Sequence, residues 1–459
     1  MGYDPSIFKA YDIRGVYPTE LDEDLANRLG RAVVAHLKAS AVAVGWDVRE
    51  SSPSLRDALV SGLTEQGVDA VLLGVCSTDS FYFAVAHWNF GAGVMVSASH
   101  NPAAYNGFKL VRANAEPLSG ESGIPQLQAL VEANRFTAAK RRGKIRTQPK
   151  VIAEFAAAVR QQVDLNHITS SHVVMDAGNG VGGLIAPHVF AGLPLTITPL
   201  CFTPDGRFPN HQANPLLPEN RRDLEAAVRR EHADLGIAWD ADTDRCFFVD
   251  EQANFIPGDF VTALLAGETL DRTGGGAVVY DLRASRCVPD TIRQHGGTPV
   301  VSRVGHSFIK AKMRQLNAVF GGEVTGHYYY RFAGSYLDNG WIPALQLLAL
   351  RSRSGKPLSA LFADFKLRYH MSGELNFTVD HKDSVIAGLE RRYGTSAQRI
   401  DHLDGLTIEG KDYWFNVRPS NTEPLLRLNI EADTAERLSL ARQELSSFIH
   451  QFAKFIPKF

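Results

Sequence analysis

Short runs of β-branched and other apolar residues alternate in this chain with longer segments of helical periodicity. Most of these runs stop at Asp or Gly, and they cover residues 41–47, 70–75, 173–180, 235–240 and 277–281. Helix-like segments such as residues 25–38 and 222–232 lie between them. Strands that alternate with helices predict α/β units built on parallel or mixed sheets. This pattern restricts the fold more than any other property of the chain.

The alternation recurs three times and then changes. Near the C-terminus, strand-like runs at residues 373–379 and 426–430 precede one helix-like segment from 435 to about 452, which is typical of a small α+β domain. The 459 residues are enough for three or four domains. We therefore predict three successive α/β domains with mixed sheets and a smaller C-terminal α+β domain. Their predicted ranges are 1–148, 149–253, 254–367 and 368–459.

Composition and charge exclude several classes of protein. The chain is 44% apolar and 21% charged, with a formal net charge of −2, so no overall field attracts nucleic acid or an acidic membrane. Its four cysteines are far apart in sequence and form no CxxC pair, which disfavours a zinc cluster or a disulfide framework. No signal peptide or long apolar run is visible. We expect a cytoplasmic protein without nucleic-acid or membrane partners.

The first candidate site is the serine loop, residues 97–102, which follows an apolar run. No Gly-x-Ser-x-Gly elbow surrounds Ser99. If the chain is extended there, the side chains of Ser99 and His100 point to opposite faces, and a hydrolase triad is disfavoured. We predict that Ser99 accepts and returns a phosphoryl group, with Lys109 balancing the charge. An ordinary turn and a surface lysine are the alternatives.

The second is the carboxylate loop, residues 240–245, in which Asp240, Asp242 and Asp244 occupy positions i, i+2 and i+4. In an extended segment these carboxylates share a face, and oxygen ligands without His or Cys suit Mg²⁺ or Ca²⁺. A calcium loop fails because Arg245 replaces the required glycine and residues 246–249 predict a strand. An acidic turn is the alternative.

The third is the glutamate loop, residues 321–327. Glu323, Thr325 and His327 alternate, so they share a face if the segment is extended. A carboxylate, a hydroxyl and an imidazole together suit sugar hydroxyls. A solvated strand face explains the same alternation equally well.

The fourth is the arginine loop, residues 418–424. Arg418 offers a bidentate fork, and short polar side chains follow it at Ser420, Asn421 and Thr422. This combination suits a phosphate dianion. A β-turn is the alternative, and no Walker pattern specifies a nucleotide.

In content and in order, these four loops resemble the α-D-phosphohexomutase superfamily, most closely its phosphomannomutase/phosphoglucomutase branch. The resemblance also includes residues 9–15 (KAYDIRG) and 204–210 (PDGRFPN) and runs nearly end to end. It implies four domains around a central cleft. It further implies a mutase that interconverts hexose 1-phosphate and hexose 6-phosphate through a phosphoserine and a hexose 1,6-bisphosphate, which also serves as activator.

The resemblance also implies roles for individual residues. Ser99 would carry the phosphoryl group and complete the shell of a Mg²⁺ ion held by Asp240, Asp242 and Asp244. Glu323 and Thr325 would hold the sugar, and the arginine loop would hold the phosphate that is not reacting. The other residues expected in the active site are Arg14, His100, Lys109, Arg245, Arg283, His306 and His327.

Two departures from the family pattern stand out. Arg283, in Asp281-Leu282-Arg283, replaces a common lysine, and a guanidinium keeps the charge without serving as a proton-transfer group. Thr325 replaces a common serine, and its methyl group narrows the sugar pocket.

Mannose phosphates, with glucose phosphates beside them, are the expected substrates. A metal-dependent sugar phosphate phosphatase and a non-enzymatic sugar phosphate sensor are the alternatives.

Overall fold

The computed structural model describes residues 4–137, 139–420 and 425–452. The chain divides into two compact units. Unit 1 contains Met1–Gly258 and Val319–Ser359, and unit 2 contains Asp259–Ala318 and Ala360–Phe459. Within the described residues, none of the helices combines the length and the apolar character that a membrane crossing requires. The predicted boundaries of four domains stay a prediction.

Strands and helices alternate as the sequence predicts. In chain order the strands are β1 (Ile13–Val16), β2 (Ala41–Trp46), β3 (Asp69–Val75), β4 (Ala92–Val96), β5 (Tyr105–Arg112), β6 (Ile145–Thr147), β7 (Ser171–Asp176), β8 (Leu195–Leu200), β9 (Leu235–Trp239), β10 (Cys246–Asp250), β11 (Phe255–Ile256), β12 (Ala277–Asp281), β13 (Thr298–Ser302), β14 (Phe320–Gly322), β15 (Tyr328–Phe332), β16 (Ser335–Asp338), β17 (His370–Phe377), β18 (Arg399–Asp401), β19 (Leu406–Glu409), β20 (Tyr413–Pro419) and β21 (Leu426–Ala432).

The helices lie between these strands. They are α1 (Glu23–Leu37), α2 (Ser52–Glu65), α3 (Thr78–His87), α4 (Ile124–Ala133), α5 (Val151–Arg160), α6 (Gly182–Val189), α7 (Arg222–Glu231), α8 (Gly258–Thr273), α9 (Cys287–Gln294), α10 (His306–Leu316), α11 (Ile342–Ser354), α12 (Leu358–Leu361), α13 (Ala363–Arg368), α14 (Lys382–Tyr393) and α15 (Ala435–His450).

Unit 1 contains two mixed sheets. The first has the strand order β1-β5-β4-β2-β3-β6, with β2 parallel to β3 and β4, and β5 antiparallel to β1 and β4. The second has the order β11-β10-β9-β7-β8, with β7 parallel to β8 and β9 and the remaining pairs antiparallel. Strands β14, β15 and β16 form an antiparallel meander.

Local signals explain where the elements of unit 1 begin and end. Helix α1 starts because the side chain of Asp22 accepts a hydrogen bond from Leu25 N at 2.9 Å, and it ends at Lys38, whose φ is +52°. Strands β4 and β9 are buried along their whole length. Buried strands fix the backbone at their carboxyl ends, where the serine loop and the carboxylate loop begin.

Unit 2 contains the parallel pair β12–β13 and an antiparallel sheet of order β17-β21-β20-β19-β18. Helix α15 starts at the cap formed by Thr434 and packs Leu445 and Ile449 into the core of this sheet. The mixed sheets of the earlier segments and this C-terminal α+β arrangement confirm the predicted fold class.

Candidate active site

Ser99 lies in the serine loop directly after β4 and is 4% exposed. Its hydroxyl donates a hydrogen bond to Asp240 Oδ2 at 3.1 Å and accepts one from Arg245 Nη2 at 3.2 Å. Asp240 and Arg245 lie at the two ends of the carboxylate loop. The structure therefore joins two of the four loops that the sequence analysis selected and holds the hydroxyl between a carboxylate and a guanidinium.

The prediction that Ser99 and His100 point to opposite faces is wrong. Ser99 Oγ lies 3.2 Å from His100 Nδ1, because Ser99 adopts a left-handed backbone with φ of +50° instead of an extended one. His100 also contacts Arg245 through Nδ1. Burial and the charge of Arg245 lower the pKa of His100 well below its usual value, so the ring is neutral at physiological pH.

The carboxylate loop is a turn, and not the extended segment that the sequence predicts. Thr243 N donates to Asp240 O at 3.1 Å, and the φ of Thr243 is +53°. In an extended chain, positions i and i+4 lie roughly 13 Å apart, too far to share one ligand. The turn instead brings oxygen atoms of Asp240, Asp242 and Asp244 within 4.8 Å of one another.

Two cations compensate this buried negative charge. Lys109, from β5, places its ammonium 2.8 Å from Asp242 Oδ2 and 2.7 Å from Asp244 Oδ2. Arg245 Nε donates to Asp240 Oδ2 at 2.7 Å. Burial alone would raise the pKa of Asp242, but Lys109 lowers it below the usual value. Burial raises the pKa of Asp240, which Arg245 offsets only in part.

We call the side chains of Asp240, Asp242 and Asp244 the carboxylate cluster, and their chemistry fits a bound cation. Asp242 Oδ1 and Asp244 Oδ1 are buried and have no hydrogen-bond partner among the described residues. A buried carboxylate oxygen without a partner is costly, and a divalent cation removes that cost. The three side chains offer oxygen ligands only, which a hard cation such as Mg²⁺ prefers.

Arg49 supports the serine loop and was missed by the sequence analysis. It is 1% exposed, and its guanidinium donates to the carbonyl oxygens of Ser99, Asn101, Pro102 and Tyr105 at 2.7, 2.7, 2.7 and 2.9 Å. Asp47 accepts from its Nε at 3.1 Å. One local signal could have indicated Arg49. The polar residue Asp47 follows β2, just as polar residues follow the strands that precede the serine loop and the carboxylate loop.

Thr78 and Asp79, at the start of α3, also contact the carboxylate loop and are not predicted from the sequence. Thr78 Oγ1 donates to Asp242 Oδ2 at 2.5 Å, and Asp79 accepts hydrogen bonds from Ser80 N at 2.8 Å and Thr243 Oγ1 at 3.3 Å. Burial raises the pKa of Asp79 well above its usual value. The sequence shows these residues only as a helix start, so nothing local indicates that they reach the carboxylate loop.

The glutamate loop is also a turn, which corrects the expectation of an extended face. Gly326 N donates to Glu323 O at 3.1 Å, and the φ of Gly326 is +84°. Thr325 Oγ1 donates to Glu323 Oε2 at 3.1 Å, and the hydroxyl of Tyr329 donates to Glu323 Oε1. His327 turns towards the carboxylate loop, where its Nδ1 lies 3.9 Å from Asp244 Oδ1.

In unit 2, guanidinium groups surround the carboxylate of Glu374. Its oxygen atoms lie 2.9 Å from Arg418 Nη2, 3.1 Å from Arg427 Nη1 and 3.6 Å from Arg283 Nη1. Arg283 is also paired with Asp281 at 2.9 Å. Burial and the charge of Arg283 lower the pKa of Arg418. We call Arg283, Arg418, Arg427 and Glu374 the guanidinium cluster.

Strand pairing creates this cluster. Arg418 on β20 is directly opposite Arg427 on β21. Like charges at directly opposed positions destabilise a sheet unless an anion compensates them. Arg418 and Arg283 are predicted from the sequence but Arg427 and Glu374 are not, because strand register is a long-range property.

The remaining predicted residues are placed as follows. Arg14, on β1, donates from Nη1 to Asn101 Oδ1 at 2.7 Å, so it contacts the serine loop. His306 is the first residue of α10 in unit 2. Ser420 N donates to Leu425 O at 2.8 Å. Asn421 and Thr422 lie outside the described residues.

Comparison with known proteins places this chain in a family. Models of the phosphoglucomutase/phosphomannomutase family match it in sequence: alpha/beta/alpha domain I at residues 5–138, domain II at 153–254, domain III at 257–369 and the C-terminal domain at 374–447. The chain belongs to the phosphoglucomutase/phosphomannomutase family. The resemblance inferred from the motifs is confirmed.

Individual members of the phosphoglucomutase/phosphomannomutase family are similar over nearly their whole length. A phosphomannomutase of Escherichia coli is 43% identical over 439 residues, 93% of this chain and 96% of that protein. A protein of Xanthomonas campestris pv. campestris described as phosphohexose mutases is 42% identical over 444 residues, 96% and 98% of the two chains. The crystal structure of a phosphoglucomutase/phosphomannomutase family protein from Burkholderia thailandensis has a TM-score of 0.89 at 31% identity and covers 98% of both chains.

Arg49→Met should loosen the serine loop. The change leaves buried carbonyl oxygens unsatisfied at about 1–3 kcal/mol each, so we expect amide exchange across residues 97–106 to accelerate about tenfold or more. Hydrogen–deuterium exchange with mass spectrometry measures this. Arg146→Met is the control, because Arg146 is 63% exposed and contacts Asp69 on the surface. Equal protection of the loop in wild type and Arg49→Met would contradict the role of Arg49.

Proposed function

We propose that this chain is a phosphohexomutase, an isomerase that interconverts hexose 1-phosphate and hexose 6-phosphate, with mannose and glucose phosphates as substrates. The observation that carries the proposal is the hydroxyl of Ser99, held between Asp240 and Arg245 beside the carboxylate cluster. The relatives named phosphomannomutase and phosphohexose mutases support it. The cytoplasmic location and the absence of nucleic-acid and membrane partners stay predictions.

In the proposed reaction, phosphorylated Ser99 gives its phosphoryl group to O6 of a hexose 1-phosphate. The bond between Ser99 Oγ and phosphorus breaks as O6 bonds to phosphorus and loses its proton. Ser99 Oγ takes up a proton, and hexose 1,6-bisphosphate results. The bond between O1 and phosphorus then breaks as Ser99 Oγ bonds to phosphorus and loses its proton. O1 takes up a proton, and hexose 6-phosphate is released. His100 Nδ1 lies 3.2 Å from Ser99 Oγ and is placed to take the proton that Ser99 loses, because its ring is neutral.

Asp240, Asp242 and Asp244 would hold Mg²⁺, whose charge would stabilise the phosphoryl group during transfer. The two partnerless carboxylate oxygens support this assignment. Lys109 and Arg245 add positive charge at fixed positions, and Arg14 orients the serine loop through Asn101. Electrostatic groups fixed before the reaction lower its barrier because they need not reorganise.

The guanidinium cluster would bind the phosphate group that is not reacting. The guanidinium groups of Arg418 and Arg427 would pair with the oxygen atoms of a phosphate dianion. Ser420, Asn421, Thr422 and His306 are further proposed contacts of the substrate. Glu323 and Thr325 would bind sugar hydroxyls, and the hydroxyl of Tyr329 orients Glu323 for that purpose.

Ser99→Ala should abolish formation of a phosphoenzyme. We expect wild-type protein incubated with glucose 1,6-bisphosphate to gain the mass of one phosphoryl group and to become fully active. Ser99→Ala should gain none and lose activity by several decades, because no other group receives the phosphoryl. Intact-mass spectrometry and a coupled mutase assay measure both effects, with Ser54→Ala as the serine control. Normal turnover by Ser99→Ala would refute the proposal. Steady release of inorganic phosphate from hexose 1-phosphate would indicate a phosphatase instead.

Arg427→Met should weaken substrate binding. Its guanidinium is the partner of Arg418 across β20 and β21, so its loss should raise KM for hexose 1-phosphate more than it lowers kcat. Charged hydrogen bonds contribute about 1.5–3 kcal/mol, which predicts a KM increase of roughly 10- to 150-fold. Arg399→Met is the control, because Arg399 is exposed and pairs with Asp401 on β18. An unchanged KM in Arg427→Met would show that the guanidinium cluster does not bind the substrate.

Mannose 1-phosphate and glucose 1-phosphate should be used with similar efficiency. The two sugars differ only at the 2-hydroxyl, and we assign Glu323 and Thr325 to the 3- and 4-hydroxyls that both share. A site that does not bind O2 leaves no buried partner unpaired when O2 inverts, whereas a site that does bind it can discriminate by about 10⁴ or more. Measured kcat/KM values for the two substrates decide this. A ratio above roughly 10³ would mean that O2 is recognised directly.

A further inference from the structure

Asp176, Cys201 and His211 form a second cluster of metal-binding side chains in unit 1. Asp176 is the last residue of β7, Cys201 follows β8, and His211 lies in the loop beyond it. Their ligand atoms all lie within 4.8 Å of one another. None of these residues belongs to the four loops, and the proposed reaction uses none of them.

The distances in this cluster match the edges of a tetrahedral metal site. His211 Nε2 lies 3.0 Å from Asp176 Oδ2 and 3.8 Å from Cys201 Sγ. Zinc binds oxygen and nitrogen at about 2.1 Å and sulfur at about 2.3 Å, so a tetrahedral site has N–O and N–S edges of roughly 3.4 and 3.6 Å. Two of the three edges therefore lie within about half an ångström of their values in a tetrahedral zinc site.

Neighbouring groups already orient two of the three ligands. His211 Nδ1 lies 3.0 Å from the carbonyl oxygen of Gln212, which can accept a hydrogen from Nδ1, and Nε2 faces Asp176 and Cys201. A bound metal ion would displace the proton that Nε2 shares with Asp176. Asp176 Oδ1 accepts from Gly178 N at 2.9 Å, which leaves Oδ2 facing His211. Such supporting hydrogen bonds are a regular feature of metal sites in proteins.

Cys201 has an unusual backbone conformation. Cys201 has a φ of +52°, a conformation that favours glycine or asparagine, yet a cysteine occupies the position. Its side chain is partly exposed, whereas Cys76, Cys246 and Cys287 are buried. A metal ion in solution can therefore reach this sulfur without unfolding of the chain.

We infer that Asp176, Cys201 and His211 bind one Zn²⁺ ion, with water as the fourth ligand. The thiol and the imidazole distinguish this site from the carboxylate cluster, whose ligands are all oxygen and suit a hard cation. The ion cross-links the ends of β7 and β8 to the loop that carries Gln212. Gln212 Nε2 in turn donates to His100 O at 2.8 Å, so the metal also braces the serine loop.

Cobalt titration tests the site, because Co²⁺ occupies zinc sites and shows a thiolate-to-metal charge-transfer band in the near ultraviolet. The full chain, freed of metal by a chelator and kept reduced, is titrated with Co²⁺ in excess Mg²⁺. We expect the band to saturate at one equivalent and to disappear on addition of Zn²⁺. Cys201→Ser should abolish it, whereas Cys246→Ser and Asp242→Asn should retain it.

Two further measurements keep the outcome clear if a variant folds poorly. Zn²⁺ should protect Cys201 of the wild type from alkylation by iodoacetamide several-fold, as peptide mass spectrometry reports. Zn²⁺ should also raise the Tm of the wild type and of Asp242→Asn but not that of Cys201→Ser. Absence of the band, its survival in Cys201→Ser, or equal alkylation with and without Zn²⁺ would overturn the inference, whatever the mutase assay shows.

Discussion

Mutual repulsion among three buried carboxylates is the constraint on which the rest of the active site depends. Asp240, Asp242 and Asp244 would not remain together without compensation, and Lys109 and Arg245 supply only part of it. Asp242 Oδ1 and Asp244 Oδ1 have no hydrogen-bond partner among the described residues. A site built in this way holds its cationic side chains in fixed positions and keeps oxygen atoms ready for a divalent cation, which phosphoryl transfer requires.

This charge cluster also explains why the serine loop has its unusual shape. A left-handed residue at position 99 directs the hydroxyl towards Asp240 and Arg245. Arg49 stabilises that shape by binding three carbonyl oxygens of the loop and the carbonyl oxygen of Tyr105 on β5. Strain at a reactive residue persists only where surrounding contacts enforce it. The guanidinium cluster is a second place where like charges are held together, since Arg418 lies directly opposite Arg427. There the compensating charge within the described residues includes the carboxylate of Glu374.

Much of the fold was predictable because its signals are local. The periodicity of residues 25–38, 222–232 and 435–452 predicted helices that occur as α1, α7 and α15, and the apolar runs predicted β2, β3, β7, β9 and β12. The four loops were also visible, since polar residues at strand ends are read directly from the sequence. The backbone conformation within these loops was not visible from the sequence. The carboxylate and glutamate loops were expected to be extended, and both are turns that depend on single positive φ angles.

By itself the sequence determined the order of strands and helices, the chemical groups in each loop and the family to which the chain belongs. Only the tertiary structure decided which groups meet. It brought Arg49 under the serine loop, Thr78 onto Asp242, and Arg427 opposite Arg418. It also brought together the ligand atoms of Asp176, Cys201 and His211, which come from separate segments of the chain. The reason is physical: side-chain type and periodicity are local properties, whereas register, turn geometry and contacts between distant segments depend on how the whole chain packs.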